Sequence, residues 1–299
     1  MGHNHHHGHH HSTENIKSAF FLNLAFTIVE IIGGFYTNSL AIMSDAVHDL
    51  GDSLSLGMSW YFQKLSNKSA NKKYSYGYGR FSLLGAIINS IVLIVGSVFI
   101  ISEAIPRIIN PEYADATGMM WLAILGIIVN GVAVLKLKRG SSINERVVSL
   151  HLFEDVLGWF AVLIASIIMQ FWDVPILDPI LSLVIAGYVL FNVYKNIKEA
   201  FKIILQGVPN EISSDEIKKH IILHIDEVGD IHDCHIWTLD GEYHIATIHI
   251  TIKEKAFSWQ KSKEVKEKIK KLLHDNFHLE HVTLELESIL EDCDYNNCN

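Results

Sequence analysis

The sequence predicts a membrane α-helical domain of six transmembrane helices followed by a small α+β domain with the order α-β-β-α-β. Three observations carry this. Up to about residue 204 the chain is a series of apolar runs, each near the ~20 residues that cross a hydrocarbon core. From Leu205 onward the composition turns soluble, with 10 Lys/Arg against 19 Asp/Glu, so the whole formal net charge of −9 lies on the tail. Finally, two His-x-x-x-Asp pairs, His48…Asp52 and His151…Asp155, sit inside apolar runs. Ionisable side chains are costly there and mark ion or proton paths.

Residues 1–14 read as a histidine-rich disordered arm, 15–204 as the membrane domain and 205–299 as a soluble domain. The opening MGHNHHHGHHH holds seven histidines, and its interruptions at Asn4 and Gly8 are unlike a uniform cloning tag. A native metal-collecting arm is the expectation. Spans are expected at 16–36, 39–62, 82–105, 118–137, 147–171 and 178–201. The second and fifth are less uniformly apolar because they carry the His/Asp pairs.

Loop charge sets the orientation. Lys64, Lys68, Lys72, Lys73 and Arg80 follow span two, Lys136, Lys138, Arg139 and Arg146 follow span four, and Lys195, Lys198 and Lys202 close span six. The opposite loops hold only Arg107. Both termini are therefore expected in the cytoplasm, with the lipid bilayer as partner. No basic stretch precedes the first apolar run, so a cleavable signal is not expected.

In the tail, Ser213-Ser214-Asp215-Glu216 resembles a capping box opening a helix to about Glu227. HDCHIWTL and EYHIATIHITI flank Asp240-Gly241, a hairpin signal. A Lys/Glu-rich helix follows from about Ser258 to Asn276, apolar at Val265, Ile269, Leu272 and Leu273, and HVTLELES forms a third strand. A strongly acidic tail argues against nucleic acid as partner and suits cations. The three cysteines, Cys234, Cys293 and Cys298, are too few for a disulfide framework and fit a reducing compartment.

A spacing of four puts both members of a His-x-x-x-Asp pair on one helix face. Two such helices packed together would offer two imidazoles and two carboxylates, which suits tetrahedral Zn²⁺. On span two, however, Asp45, His48, Asp49 and Asp52 share one stripe, and spacing alone does not choose among them. On span five, His151 and Asp155 share a face, with Glu154 to the other side. Glu30, Asn23, Asn89 and Asn130 are expected to bond between helices.

FTIVEIIGGFYTNSLAIMSDAVHDLGDSLSL, YSYGYGRFSLLGAIINS, SLHLFEDVLGWFAVLIAS, HDCHIWTLDG and HVTLELES together resemble the cation diffusion facilitator family, in its zinc-transporting branch. The resemblance runs across nearly the whole chain. It implies a zinc/proton antiporter exporting Zn²⁺ through a tetrahedral site of His48, Asp52, His151 and Asp155. It also implies a ferredoxin-like cytoplasmic domain that pairs in a homodimer and binds regulatory Zn²⁺, in a bacterial plasma membrane. Candidate ligands in that domain are His232 and His249, then His281 and Glu287. Cys293 and Cys298, soft ligands in an acidic tail, are candidates to complete a site with histidines of the amino-terminal arm, against the plainer reading of unligated thiols. Asp49 and Glu154 fall where uncharged residues are expected in relatives, which leaves room for extra proton-binding groups or a broader metal range. Residues 63–73 hold no His, Asp or Glu, so the loop metal site of some relatives is not expected.

The ligand types bear on selectivity and coupling. Imidazole suits zinc more than all-carboxylate sets do, and Cd²⁺ or Co²⁺ could fit the same cage. Protons and metal compete for the same ring nitrogens. No organic cofactor is implied. Two other readings remain on residues alone: an intramembrane zinc enzyme, although no His-Glu-x-x-His motif occurs, and a non-transporting metal sensor.

Overall fold

The computed structural model describes residues 9–66, 68–137, 143–253 and 258–289. The chain divides into two compact units: Met1–Lys64 with Leu84–Ile197, and Leu65–Leu83 with Lys198–Asn299.

The first unit is built on six long helices: α1 (His9–Thr37), α2 (Leu40–Ser66), α3 (Phe81–Ile109), α4 (Ala116–Leu137), α5 (Ile143–Phe171) and α6 (Leu177–Ile204). At 29 residues α3 is about 43 Å long, more than a bilayer core requires. Segments of α3, α4, α5 and α6 are long and apolar enough to cross a membrane, and Phe21–Thr37 of α1 is a shorter apolar stretch. The helices exceed the expected spans at most ends. α1 already starts at His9, within the histidine-rich segment read as a disordered arm.

Two contacts set how α2 and α5 are held. Asp178, in the first turn of α6, accepts from Ser39 Oγ at 2.5 Å, Leu40 N at 2.7 Å and Ala41 N at 3.2 Å. The first amides of a helix lack internal partners, so this carboxylate caps α2 from a neighbouring helix. On the other side, Trp159 of α5 is fully buried beside Gly126 of α4, where an added Cβ would come within 2.4 Å of the indole. Phe26 meets the same indole edge-on at 5.6 Å between centroids.

In the second unit α7 (Ser214–His224), β1 (Val228–Thr238), β2 (His244–Ile252), α8 (Trp259–Phe277) and β3 (Leu279–Ser288) reproduce the expected order. The sheet runs β1-β2-β3, with β1 antiparallel and β3 parallel to β2. The parallel pair needs a crossover, and α8 supplies it. Ser213 and Ser258 cap α7 and α8 by accepting from Glu216 N and Lys261 N. Ile217 and Ile221 of α7, with Val265, Ile269 and Leu273 of α8, close over Ile248 and Ile250 of β2 in one core. Alternation then turns His249 to the opposite face of the sheet.

The hairpin is wider than the two-residue turn expected from Asp240-Gly241. Residues 239–243 connect the strands, because Asp240 Oδ1 accepts from Glu242 N and Tyr243 N while Gly241 takes φ of +104°. The aspartate folds the chain on itself before the ladder begins.

Candidate metal centres

α2 and α5 bring the two His-x-x-x-Asp pairs together. His151 Nε2 lies 2.7 Å from Asp52 Oδ2, and His48 Nε2 lies 3.6 Å from the same oxygen. The two imidazoles stand nearly perpendicular, 5.7 Å between centroids. One ligand atom each of His48, His151 and Asp155 lies within 4.8 Å of the others. Asp52 Oδ2 thus approaches both rings, while Asp155 stands near them without a hydrogen bond to either from its Oδ2.

Donors around a tetrahedral zinc stand roughly 3.3 Å apart. The His151–Asp52 contact at 2.7 Å is closer than that. Asp155 is 4% exposed, and its Oδ2 and His48 Nδ1 are shut off without a hydrogen-bond partner. Buried polar atoms of this kind are expensive unless something occupies them.

The other acidic residues of the stripe separate in space. Asp45 reaches toward Gly158 of α5, one helical turn beyond Asp155. Asp49 is fully buried near Glu30 on α1, itself fully buried, and among the described residues no carboxyl oxygen of either has a hydrogen-bond partner. Spacing could not tell these four apart, because the distinction lies in which neighbouring helix each faces. The amides expected to bond between helices do so less than expected. Among the described residues, the side chain of Asn130 and the Oδ1 atoms of Asn23 and Asn89 have no partner.

A cavity of about 280 Å³ reaches the centre, lined by His48, Asp52 and His151 together with Asn89, Glu154 and Tyr188. Its wall follows α6 as far as Lys195 and Asn196.

A second cluster lies on the open face of the tail sheet. The register sets His232 opposite His249, and their rings are 5.7 Å apart. Glu287 joins both, with Oε2 at 3.0 Å from His232 Nε2 and Oε1 at 2.6 Å from His249 Nδ1. Asp233 and Glu285 each approach His249 Nε2 at 3.4 Å. Neither was foreseen from sequence. Asp233 reaches the cluster because the register shifts after His232 and Asp233 takes φ of +45°. The three principal side chains, 12–16% exposed, form a preset donor group that a cation such as zinc fits.

His281 is not part of it. It pairs with Ile245, six positions from the Thr251–Glu287 pair, or about 20 Å along the strand. Its ring meets Tyr76 edge-on instead. Cys293 and Cys298 lie outside the described residues.

Comparison with known proteins adds an independent line. A family profile described as cation efflux transmembrane domain matches residues 16–205, and one described as cation efflux protein, cytoplasmic domain, matches 209–289. The chain is 34% identical over 298 residues to a cadmium, cobalt and zinc/H(+)-K(+) antiporter of Bacillus velezensis, covering 98% of this chain and 94% of that protein. It is 31% identical to the zinc transporter ZitB of Pectobacterium atrosepticum, covering 100% and 92%. Against the metal cation efflux system protein CzcD of Cupriavidus metallidurans it is 33% identical, covering 96% and 90%.

Proposed function

The chain belongs to the cation efflux family, and we propose that it exports Zn²⁺ from the cytoplasm of a bacterium in exchange for protons. In this reading all six long helices cross the plasma membrane, both termini are cytoplasmic, and His48, Asp52, His151 and Asp155 form the transport site. The domain division is 15–204 for transport and 205–299 for the cytoplasmic part, which pairs in a homodimer. The observation that carries the reading is the approach of the two His/Asp pairs: His48, His151 and Asp155 offer ligand atoms within 4.8 Å of one another, and Asp52 lies beside both imidazoles.

The chemistry follows from the donors. Two carboxylates neutralise a divalent cation in surroundings where an uncompensated charge is costly. Imidazole nitrogens bind the metal only when unprotonated, so metal entry expels protons and protons from outside expel the metal. Zn²⁺ accepts four-coordinate N/O sets without strain. Relatives named for cadmium and cobalt as well as zinc support a cage open to Cd²⁺ and Co²⁺. Zn²⁺ held by His232, His249 and Glu287 would act on the cytoplasmic domain as a regulatory ligand.

Zinc uptake into proteoliposomes under an imposed pH gradient tests this. The wild type is expected to drive Zn²⁺ toward the acidic side, and Asp155→Ala to lose that flux by at least about a hundredfold, since a buried ligand and its charge are both removed. Flux indifferent to gradient and substitution would end the exchanger reading.

A further inference from the structure

The helical side of the cytoplasmic domain carries a histidine pair outside both metal centres. His220, half-buried, and His224, exposed, lie four residues apart in the last turns of α7, a spacing that sets them on one face. Their rings are 4.2 Å apart between centroids and tilted by 34°. Two imidazoles that share one zinc, each nitrogen about 2.0 Å from the metal, stand roughly 5 Å apart between centroids. The pair therefore needs only a small splay to take an ion.

The proton on His224 is already placed for this. Its Nδ1 lies 2.8 Å from the backbone oxygen of His220, and a carbonyl can only accept, so Nδ1 donates. In the neutral ring Nε2 then keeps its lone pair, which is how a histidine presents itself to a metal when its other nitrogen is tied to a carbonyl. Phe277 of α8 meets the His220 ring edge-on at 5.5 Å and holds it in place. Glu216 stands one turn before His220 on α7, at the same spacing of four.

We propose that His220 and His224 form a further Zn²⁺ site of the cytoplasmic domain, with Glu216 or water completing the coordination. It is distinct from the His232–His249–Glu287 cluster. α7 and α8 close over one face of the sheet, whereas His249 points from the other. The last turn of a helix favours a cation, because its free carbonyls carry partial negative charge. Paired imidazoles select zinc and its transition-metal neighbours over Mg²⁺ and Ca²⁺. With fewer fixed donors than the cluster, the pair binds more weakly and fills at higher zinc. The site stands whether or not the chain exchanges zinc for protons.

Hydrogen exchange of the full chain in nanodiscs, read on peptides from α7 and from β1–β2, separates this site from the others. Zn²⁺ is expected to slow exchange in the last turn of α7 by about tenfold at ten times the site's Kd, since opening that turn must release the metal. His224→Gln should abolish this slowing and leave the zinc-dependent slowing along β1 and β2 in place. His249→Ala should do the reverse, and Mg²⁺ should protect neither region. An α7 indifferent to saturating Zn²⁺ overturns the site. So does α7 protection that survives His224→Gln, or that disappears in His249→Ala.

Discussion

The two histidine–carboxylate clusters use nearly the same donors and hold them in opposite ways. In the membrane unit the ligands stand on separate helices, and their spacing is set by how α2 and α5 pack. His48 Nδ1 and Asp155 Oδ2 are closed off without partners there. In the tail, His232 and His249 face each other across a hydrogen-bonded ladder, and Glu287 already bridges them. A sheet fixes register at every rung, whereas packed helices can shift by an ångström or more. The difference teaches which cluster suits exchange and which suits holding: the first can alter its ligand spacing, and the second is preset.

The largest expected effect separates the two directly. His151→Ala should abolish zinc flux to below about one hundredth of wild type, while His249→Ala should leave at least about a third of it, both measured as initial uptake rates. Comparable losses from both would collapse the distinction. Metal should also stabilise the tail: at a Zn²⁺ concentration a hundred times its Kd, unfolding of the cytoplasmic domain in the full chain should cost about 2.7 kcal/mol more. His249→Ala should remove that increment, and hydrogen exchange along β1 and β2 reads it out.

Smaller effects probe the frame of the membrane site. Asp178→Ala uncaps α2 and is expected to destabilise the membrane unit by about 1–3 kcal/mol. Gly126→Ala forces a methyl against Trp159, at a cost of about 1–3 kcal/mol. Denaturant titration in detergent measures both. Were both neutral, the α2–α5 spacing would not depend on these contacts. The smallest effect lies at the tail surface. There the backbone N–H of Glu227 and then Lys268 hold the Glu227 carboxyl below its ordinary range. A lowered carboxylate stabilises the fold above its unfolded-state titration and loses this as pH falls through the folded value. Lys268→Ala should therefore cost no more than about 0.5 kcal/mol at neutral pH, and the gap should close on acidification.

How much of this was legible beforehand differs between the two clusters for a physical reason. A helix repeats every 3.6 residues, so His48 with Asp52 and His151 with Asp155 could be read as pairs sharing a face. Which of Asp45, Asp49 and Asp52 faces His151 depends on packing between helices, and no spacing within α2 carries that. Family resemblance supplied the choice, and the geometry sets Asp52 beside His151 while Asp49 turns to Glu30. In the tail, apolar alternation indicated the strands and turned His249 outward. The partnership with His232 and Glu287 needs the register of three strands, including a shift after His232 that only the folded backbone reveals. His281 looked equivalent to Glu287 because both lie on β3, but six positions of strand keep them apart. The hairpin was misjudged for a related reason, since Asp240 spends its side chain on local amides and widens the turn.

The central claim is that one set of four side chains binds either zinc or protons. It is tested most directly by loading proteoliposomes with a pH-sensitive dye at equal pH on both sides and adding Zn²⁺ outside. The account predicts that zinc entry drives protons out, raising internal pH in step with zinc uptake, and that Asp155→Ala abolishes both signals together. Zinc entering with no movement of protons would contradict it.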